Sequence, residues 1–91
     1  MNLYLISQSR NTGIDTYESA VVAAETEEDA RLIFPSDYCE PKWYVKESAW
    51  IDRDGYINSR EWVDPADVIV RLIGVATEGL SGLVHSSYIG W

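Results

Sequence analysis

The chain's single histidine, His85, is followed by two serines, and a histidine that deprotonates a serine is the pairing that activates many nucleophilic enzymes. Ser86 is the next residue in a predicted strand, where successive side chains point to opposite faces, so it cannot easily meet His85. Ser87 shares a face with His85, but no nucleophile elbow or oxyanion motif accompanies the pair. We therefore predict no catalysis here and assign His85 a structural or ligand hydrogen bond.

Metal chemistry has equally little support in the sequence. The single cysteine, Cys39, excludes an intramolecular disulfide and a cysteine-cluster zinc site. The run Asp52-Arg53-Asp54-Gly55 begins like a calcium loop but lacks the glycine and glutamate that an EF-hand needs at its sixth and twelfth positions, so we interpret it as a turn. The sequence predicts no metal, no cofactor and no enzymatic activity.

A polar segment at residues 9–16, called here the first loop, offers groups that bind rather than react. Arg10 is the first cationic side chain in the sequence, and its guanidinium can bind a phosphate through two parallel hydrogen bonds. Asn11, Thr12 and Thr16 add amide and hydroxyl groups, and Asp15 can accept from a guanine edge. The alternative is plain turn chemistry, in which these residue types satisfy the local backbone.

Aromatic residues are abundant, with four tryptophans and six tyrosines among 91 residues. Trp43, Trp50 and Trp62 fall in or near one predicted hairpin. One interpretation is a core with a flat surface used for self-association, which predicts a homo-oligomer. The other is a stacking platform for bases, each stack contributing about 1–3 kcal/mol.

The net charge of −8 narrows the range of partners. It disfavours binding to long DNA or RNA, where neutralisation of phosphates drives affinity. The acidity is concentrated at residues 25–40, which hold six acidic side chains against Arg31 alone, whereas both ends of the chain are nearly neutral. An anionic small molecule can therefore bind near either end. One cysteine and no visible signal peptide or membrane-spanning run predict a cytosolic protein without a membrane partner.

The elements that must position these groups form one α+β domain over residues 1–91. We predict a mainly antiparallel sheet of five or six strands with one short helix packed on one face. A capping box at Thr26 starts the helix and Pro35 ends it. An Asp54-Gly55 turn predicts a hairpin, and Asp64-Pro65 starts a single helical turn. The predicted strands are 3–7, 17–24, 43–51, 56–62, 68–73 and 83–89, and the predicted helix is 27–34.

Three segments near the start of the chain carry a resemblance to a known family. They are 3–9 (LYLISQS), 11–13 (NTG) and 15–24 (DTYESAVVAA), with further matches at residues 27–31, Trp62, 65–68, 73–74, 78–79, 82–84 and 86–87. The chain resembles a widespread set of small tailed-phage proteins. It departs from their pattern in a longer middle segment, residues 36–60, and in Ile14, which stands where the family has an aromatic residue.

Within this set the chain is similar to viral sponge proteins that sequester cyclic dinucleotides such as 3′3′-cGAMP. The resemblance implies a protein that blocks the bacterial defence called CBASS by capturing its signal without cleaving it. It also implies tetramers with shared pockets, acting in the cytoplasm of the infected host. The ligand-binding residues are chosen on physical grounds and are Gln8, Arg10, Asn11, Thr12, Asp15, Thr16, Tyr17, Trp62, His85 and Ser86.

Two other functions remain open at this point. Small acidic phage proteins can inhibit a host or CRISPR defence protein by covering a basic surface, and the acidic segment 25–40 would be the contact face. An accessory role in the virion or its assembly is the third possibility.

Overall fold

The computed structural model describes residues 1–11, 13, 15–59, 61–76 and 79–89, with only the backbone described for residues 86–89. The elements within these ranges follow a mainly antiparallel α+β order with one short helix, as the sequence predicts. A 3₁₀ turn at Pro65–Asp67 precedes the strand Ile69–Val75. The other elements are β1 (Asn2–Ser7), β2 (Thr16–Ala24), α1 (Glu27–Arg31), β3 (Lys42–Tyr44), β4 (Ala49–Ile51), β5 (Ile69–Val75) and β6 (Gly82–Ile89).

The strands do not form the one sheet of five or six strands that the sequence predicts. Four of them form an antiparallel sheet in the order β5-β1-β2-β6, and β3 pairs only with β4. The predicted strand 43–51 breaks because the chain turns at residues 45–48, where Ser48 has φ of 51°. A turn does form at Gly55, with φ of 86°, but the strand predicted after it is reduced to one bridge between Ile51 and Ile57.

The helix α1 begins as the sequence predicts and ends earlier. The Thr26 hydroxyl oxygen accepts a hydrogen bond from the Asp29 backbone N–H at 3.1 Å, which caps the first turn. The helix stops at Arg31, three residues before the predicted end, because Leu32 and Ile33 bond three residues back in the manner of a tightened last turn. Five residues are too few for a stable isolated helix, so α1 depends on the sheet beneath it.

The hydrophobic core lies between one face of the sheet, called here the inner face, and the rest of the chain. The inner face contributes Tyr4, Ile6, Ala20, Val22 and Ala24, and α1 contributes the fully buried Ala30. Phe34, Trp50, Trp62, Val63 and Val68 cover these residues. Every described element outside the sheet that enters this core therefore packs on the same face. Among the described residues, no helix is long and apolar enough to cross a membrane.

Aromatic rings fill the centre of the core and hold the β3–β4 hairpin in place. Phe34 contacts the Trp50 ring edge-on at 5.2 Å between centroids, and Trp43 contacts Trp50 at 5.5 Å. Such edge-to-face pairs add about 0.5–1.5 kcal/mol beyond the area they bury. The hairpin thus joins the molecule through ring packing on the core, which explains why its short strands stay apart from the four-stranded sheet.

Candidate functional site

The first loop is held in shape by the side chain of Gln8, which is 9% exposed. Its Nε2 donates to the carbonyl oxygens of Asn11 at 2.6 Å and Tyr17 at 2.9 Å. Its Oε1 accepts from the Asn11 backbone N–H at 2.7 Å. One amide therefore ties together both sides of the loop. Gln8 was predicted as a ligand contact, and the structure places its polar atoms on the loop's own backbone.

The second half of the loop is held by Thr16, whose side chain is also buried. The Thr16 hydroxyl donates to the Gly13 carbonyl oxygen at 2.6 Å. Asp15 is exposed and has φ of 66°, a left-handed conformation that aspartate tolerates better than most residues. The side chains of Gln8 and Thr16 thus hold the described residues Asn11, Gly13 and Tyr17 through hydrogen bonds, and Asp15 is exposed beside them.

Arg10 is the exposed cation of the first loop, with 71% of its side chain open to solvent. Its Nη1 lies 3.5 Å from the Asp67 carboxylate on the 3₁₀ turn. The acid that pairs with Arg10 therefore lies on the 3₁₀ turn and not in the first loop. An exposed pair at this distance contributes at most about 1 kcal/mol, so the guanidinium is available for a stronger anionic partner.

The 3₁₀ turn that carries Asp67 is itself fixed by α1. The Arg31 guanidinium donates to the carbonyl oxygen of Pro65 at 3.3 Å and to that of Val68. Arg10 and Arg31 therefore bond to the same turn, one through a carboxylate and the other through carbonyl oxygens. These contacts link residues more than 30 positions apart, and no local pattern in the sequence signals them.

Tyr17 and Trp62 lie where the first loop meets the core. The Tyr17 backbone N–H donates to the Glu61 carbonyl oxygen at 3.0 Å, and its ring contacts Phe34 edge-on at 6.2 Å. Trp62 is only 1% exposed, so in this conformation neither face of its ring is open to a base. Its indole Nε1 is buried and has no hydrogen-bond partner among the described groups. The structure thus brings Trp62 next to the loop but encloses it.

His85 is not brought to this loop. It is exposed on β6 and pairs with Val21, five residues along β2 from Thr16, which corresponds to about 17 Å of strand. Thr12 and the side chain of Ser86 lie outside the described part of the chain. Among the described residues, the predicted binding residues Gln8, Arg10, Asn11, Asp15, Thr16 and Tyr17 lie at the first loop, Trp62 lies in the core next to Glu61, which bonds to Tyr17, and His85 stands apart.

A shallow groove of about 240 Å³ lies between the end of α1, the loop before β3 and the start of β6. The groove is lined by the apolar side chains of Ile33, Phe34 and Leu83 and by the charged residues Asp37, Glu40 and Lys42. None of the predicted binding residues lines it. Pockets that enclose small molecules usually measure about 300–1,000 Å³. This groove is therefore too small to enclose a dinucleotide by itself.

Acidic side chains surround the start of α1. Glu25, Glu27, Glu28 and Asp29 are all exposed there. No cluster of three or more histidine, cysteine, aspartate or glutamate side chains within the described ranges is arranged to hold a metal ion. The acidic surface is thus a solvated, negatively charged end of the molecule.

Two titratable groups near the Gly55 turn have shifted pKa values. Burial acts to raise the pKa of Asp52, but hydrogen bonds from the N–H groups of Tyr56 and Asp54 and from the Asn58 amide hold the pKa of this carboxyl below its ordinary value. Burial, then the Asp54 carboxylate, raises the pKa of the Cys39 thiol. A raised pKa keeps this thiol protonated at neutral pH, which makes it a poor nucleophile.

Comparisons with known proteins leave the family open. No family model matches the chain, and neither the curated proteins nor the solved structures include a significant match.

Proposed function

We propose that this protein binds and sequesters cyclic dinucleotides such as 3′3′-cGAMP without cleaving them, as a phage protein acting in the cytoplasm of its bacterial host. The observation that carries the proposal is the first loop, which Gln8 and Thr16 hold in shape while Arg10 stands exposed beside it. Hydrogen bonds that already hold Asn11, Gly13 and Tyr17 reduce the conformational entropy that these residues lose on binding, which leaves more of the contact energy for affinity. The resemblance of residues 3–24 to small phage proteins supports the same proposal.

A guanidinium in this position suits a ligand with two phosphates. Arginine binds phosphate through paired, charge-assisted hydrogen bonds that contribute about 1.5–3 kcal/mol each. The Asp67 carboxylate that now pairs with Arg10 is exposed and 3.5 Å away, so a phosphate can replace it at small cost. A compact dianion also avoids most of the acidic surface at the start of α1, which a long nucleic acid would not.

The exposure of the first loop supports a site that is completed between copies of the chain. Arg10 and Asp15 are both exposed, so one copy does not enclose a ligand at these side chains. A second copy placed against the loop would close the site. The proposal therefore includes a homo-oligomer, with the tetramer as the assembly that the phage resemblance implies.

A thermal-shift titration tests the proposal directly. A ligand at 100 times its dissociation constant adds about 2.7 kcal/mol to the free energy of unfolding. At about 4–8 °C per kcal/mol for a domain of this size, the melting temperature should rise by about 10–20 °C. Cyclic di-GMP and a cyclic trinucleotide, run beside 3′3′-cGAMP, would define the ligand class. No shift with any of them would contradict the proposal.

Arg10→Ala tests the residue that carries the argument, and Arg53→Ala is the matched control. Both arginines are exposed, but Arg53 lies in the turn at Gly55, away from the first loop. Loss of one charge-assisted contact should weaken binding by about 10–100-fold in Arg10→Ala and leave Arg53→Ala unchanged. The melting temperature of free Arg10→Ala should stay close to that of the wild type. Equal affinities in the two variants would remove the first loop from the site.

The exposed acids at the start of α1 favour one second candidate, an inhibitor that covers a basic surface of a host or CRISPR defence protein. In that case Glu27→Gln combined with Glu28→Gln should reduce capture of the host protein, and cyclic dinucleotides should produce no thermal shift. A sponge predicts the opposite pattern, in which the double variant binds the ligand as the wild type does.

A further inference from the structure

The face of the four-stranded sheet opposite the core, called here the outer face, is lined by apolar side chains. Strand pairing places Leu3 and Leu5 on it from β1, Val21 and Ala23 from β2, and Ile69 from β5. None of these belongs to the core cluster or packs against it. Ile69 is 55% exposed, and Leu3, Leu5 and Val21 are partly exposed, whereas Ala23 is already buried within the single chain at 1%. No described element outside the sheet enters a hydrophobic cluster on this side.

The outer face is more apolar than a sheet face that contacts water usually is. An antiparallel sheet with one solvated face alternates apolar residues toward the core with polar residues toward water. Strands β1 and β2 instead carry apolar side chains on both faces over much of their length, as in Leu3-Tyr4-Leu5-Ile6 and in residues 20–24. Strands buried on both faces have this composition, so the pattern indicates that the outer face is covered in the working protein.

The shape of the outer face is complementary to itself. One row of paired residues runs Gly74, Leu3, Ala23, Gly82, so a single bulky side chain stands between small ones. A methyl group added at Gly74 would contact only the Leu3 side chain, at 3.9 Å. Gly74 therefore leaves a depression in the outer face beside the Leu3 side chain. Leu3 of one copy can therefore lie over Gly74 and Gly82 of another. Two sheets of the same twist pack face to face at about 10 Å separation.

The distribution of charged side chains favours contact between two copies through the outer face rather than through the rest of the surface. The chain carries −8, so contact through most of its surface would bring acids together. The described residues that pairing places on the outer face include Arg71 and His85 but no acidic side chain. The exposed acids at residues 25–29 follow the end of β2 and cap α1, which packs on the inner face. Two copies joined through their outer faces would carry both helices on the outside.

The area sets the expected strength of this contact. Four strands at about 4.8 Å spacing and six paired residues at about 3.4 Å each give a plane of roughly 300–400 Å². A standard interface buries about 800 Å² of accessible surface per partner, so the outer face belongs to the small, weaker class. The dimer should accordingly dissociate in the micromolar range.

We propose that the outer face is the surface through which a second copy of this chain docks, to form a sandwich of two four-stranded sheets with the helices outside. The contact needs no nucleotide. Its test is therefore separate from that of ligand binding, and either can fail alone.

Light scattering and sedimentation between about 1 and 500 µM, without ligand, test the docking surface. The wild type should rise from the mass of one chain, 10.3 kDa, to at least twice that value. Val21→Glu should weaken association by about 100-fold, because it places like charges in an apolar contact. Val45→Glu is the matched control: Val45 is 80% exposed in the β3–β4 turn, away from the sheet, and its variant should associate as the wild type does.

Ser19→Glu keeps the test decisive if Val21→Glu folds poorly. Ser19 is a polar residue on the same outer face, paired with Ser7, so a glutamate there changes the charge without removing an apolar side chain. It too should stay at the mass of one chain. The proposal is overturned if the wild type remains a single chain at 500 µM. It is equally overturned if folded Val21→Glu and Ser19→Glu associate as strongly as Val45→Glu, or if the wild-type single chain binds lipid vesicles through this face.

Discussion

The two most deeply buried tryptophans offer a matched experiment, because one indole N–H is bonded and the other is not. Trp50 is 0% exposed and its Nε1 donates to the Val63 carbonyl oxygen at 2.9 Å. Trp62 is 1% exposed and its Nε1 has no partner among the described groups. Replacing each by phenylalanine removes the same volume from the same core, so the cavity contributions should be similar.

The hydrogen-bond contributions should then separate the two variants. Trp50→Phe leaves the buried Val63 carbonyl oxygen without its donor, which costs about 1–3 kcal/mol. Trp62→Phe removes an unpaired donor whose burial already costs about 1–3 kcal/mol, which offsets part of its cavity. Trp50→Phe should therefore be less stable than Trp62→Phe by about 2–6 kcal/mol.

Thermal and urea unfolding followed by circular dichroism can measure this difference. At about 4–8 °C per kcal/mol, the two melting temperatures should differ by about 10 °C or more. Far-ultraviolet spectra of both folded variants should match the wild type. Equal losses in the two variants would refute the reasoning, because they would mean that the Trp62 indole N–H is as well bonded as that of Trp50. A loss of 3′3′-cGAMP affinity in Trp62→Phe alone would show that this indole contributes to the ligand site.

Two further predictions concern the first loop and the Gly55 turn. Gln8→Ala removes the three hydrogen bonds to Asn11 and Tyr17 and should cost about 2–4 kcal/mol, with weaker ligand binding; unchanged unfolding in urea would show that the loop does not depend on them. Asp52 has a lowered pKa in the folded state, so its contribution is present above its unfolded value of 3.8 and is lost as the pH falls through the folded pKa. Asp52→Asn should therefore melt below the wild type at pH 7, and the difference in melting temperature should close as the pH falls below about 3.8; a difference that persists at pH 2 would contradict this.

Local chemistry made several elements predictable from the sequence. The Thr26 cap needs only its own side chain and the next three residues, and Asp64-Pro65 starts a helical turn because proline fits its first position. Strands β1 and β2 lie within one residue of their predicted limits, because their apolar runs are bounded by a polar loop.

Contacts between distant residues were not predictable in the same way. The aromatic run from Trp43 to Ile51 fits one long strand as well as two short ones, and the left-handed Ser48 that divides it has no strong local signal. The pairing of Arg10 with Asp67 joins residues 57 positions apart. Only the three-dimensional arrangement shows that the apolar side chains of β1 fall on two faces and that one of these faces lies outside the core.

Calorimetric titration of the purified protein with 3′3′-cGAMP, followed by chromatography of the recovered nucleotide, tests the central claim most directly. Sequestration without cleavage predicts saturable binding, with all of the nucleotide recovered intact after the protein is denatured. The absence of binding heat together with an unchanged melting temperature, or recovery of the linear dinucleotide, would contradict it.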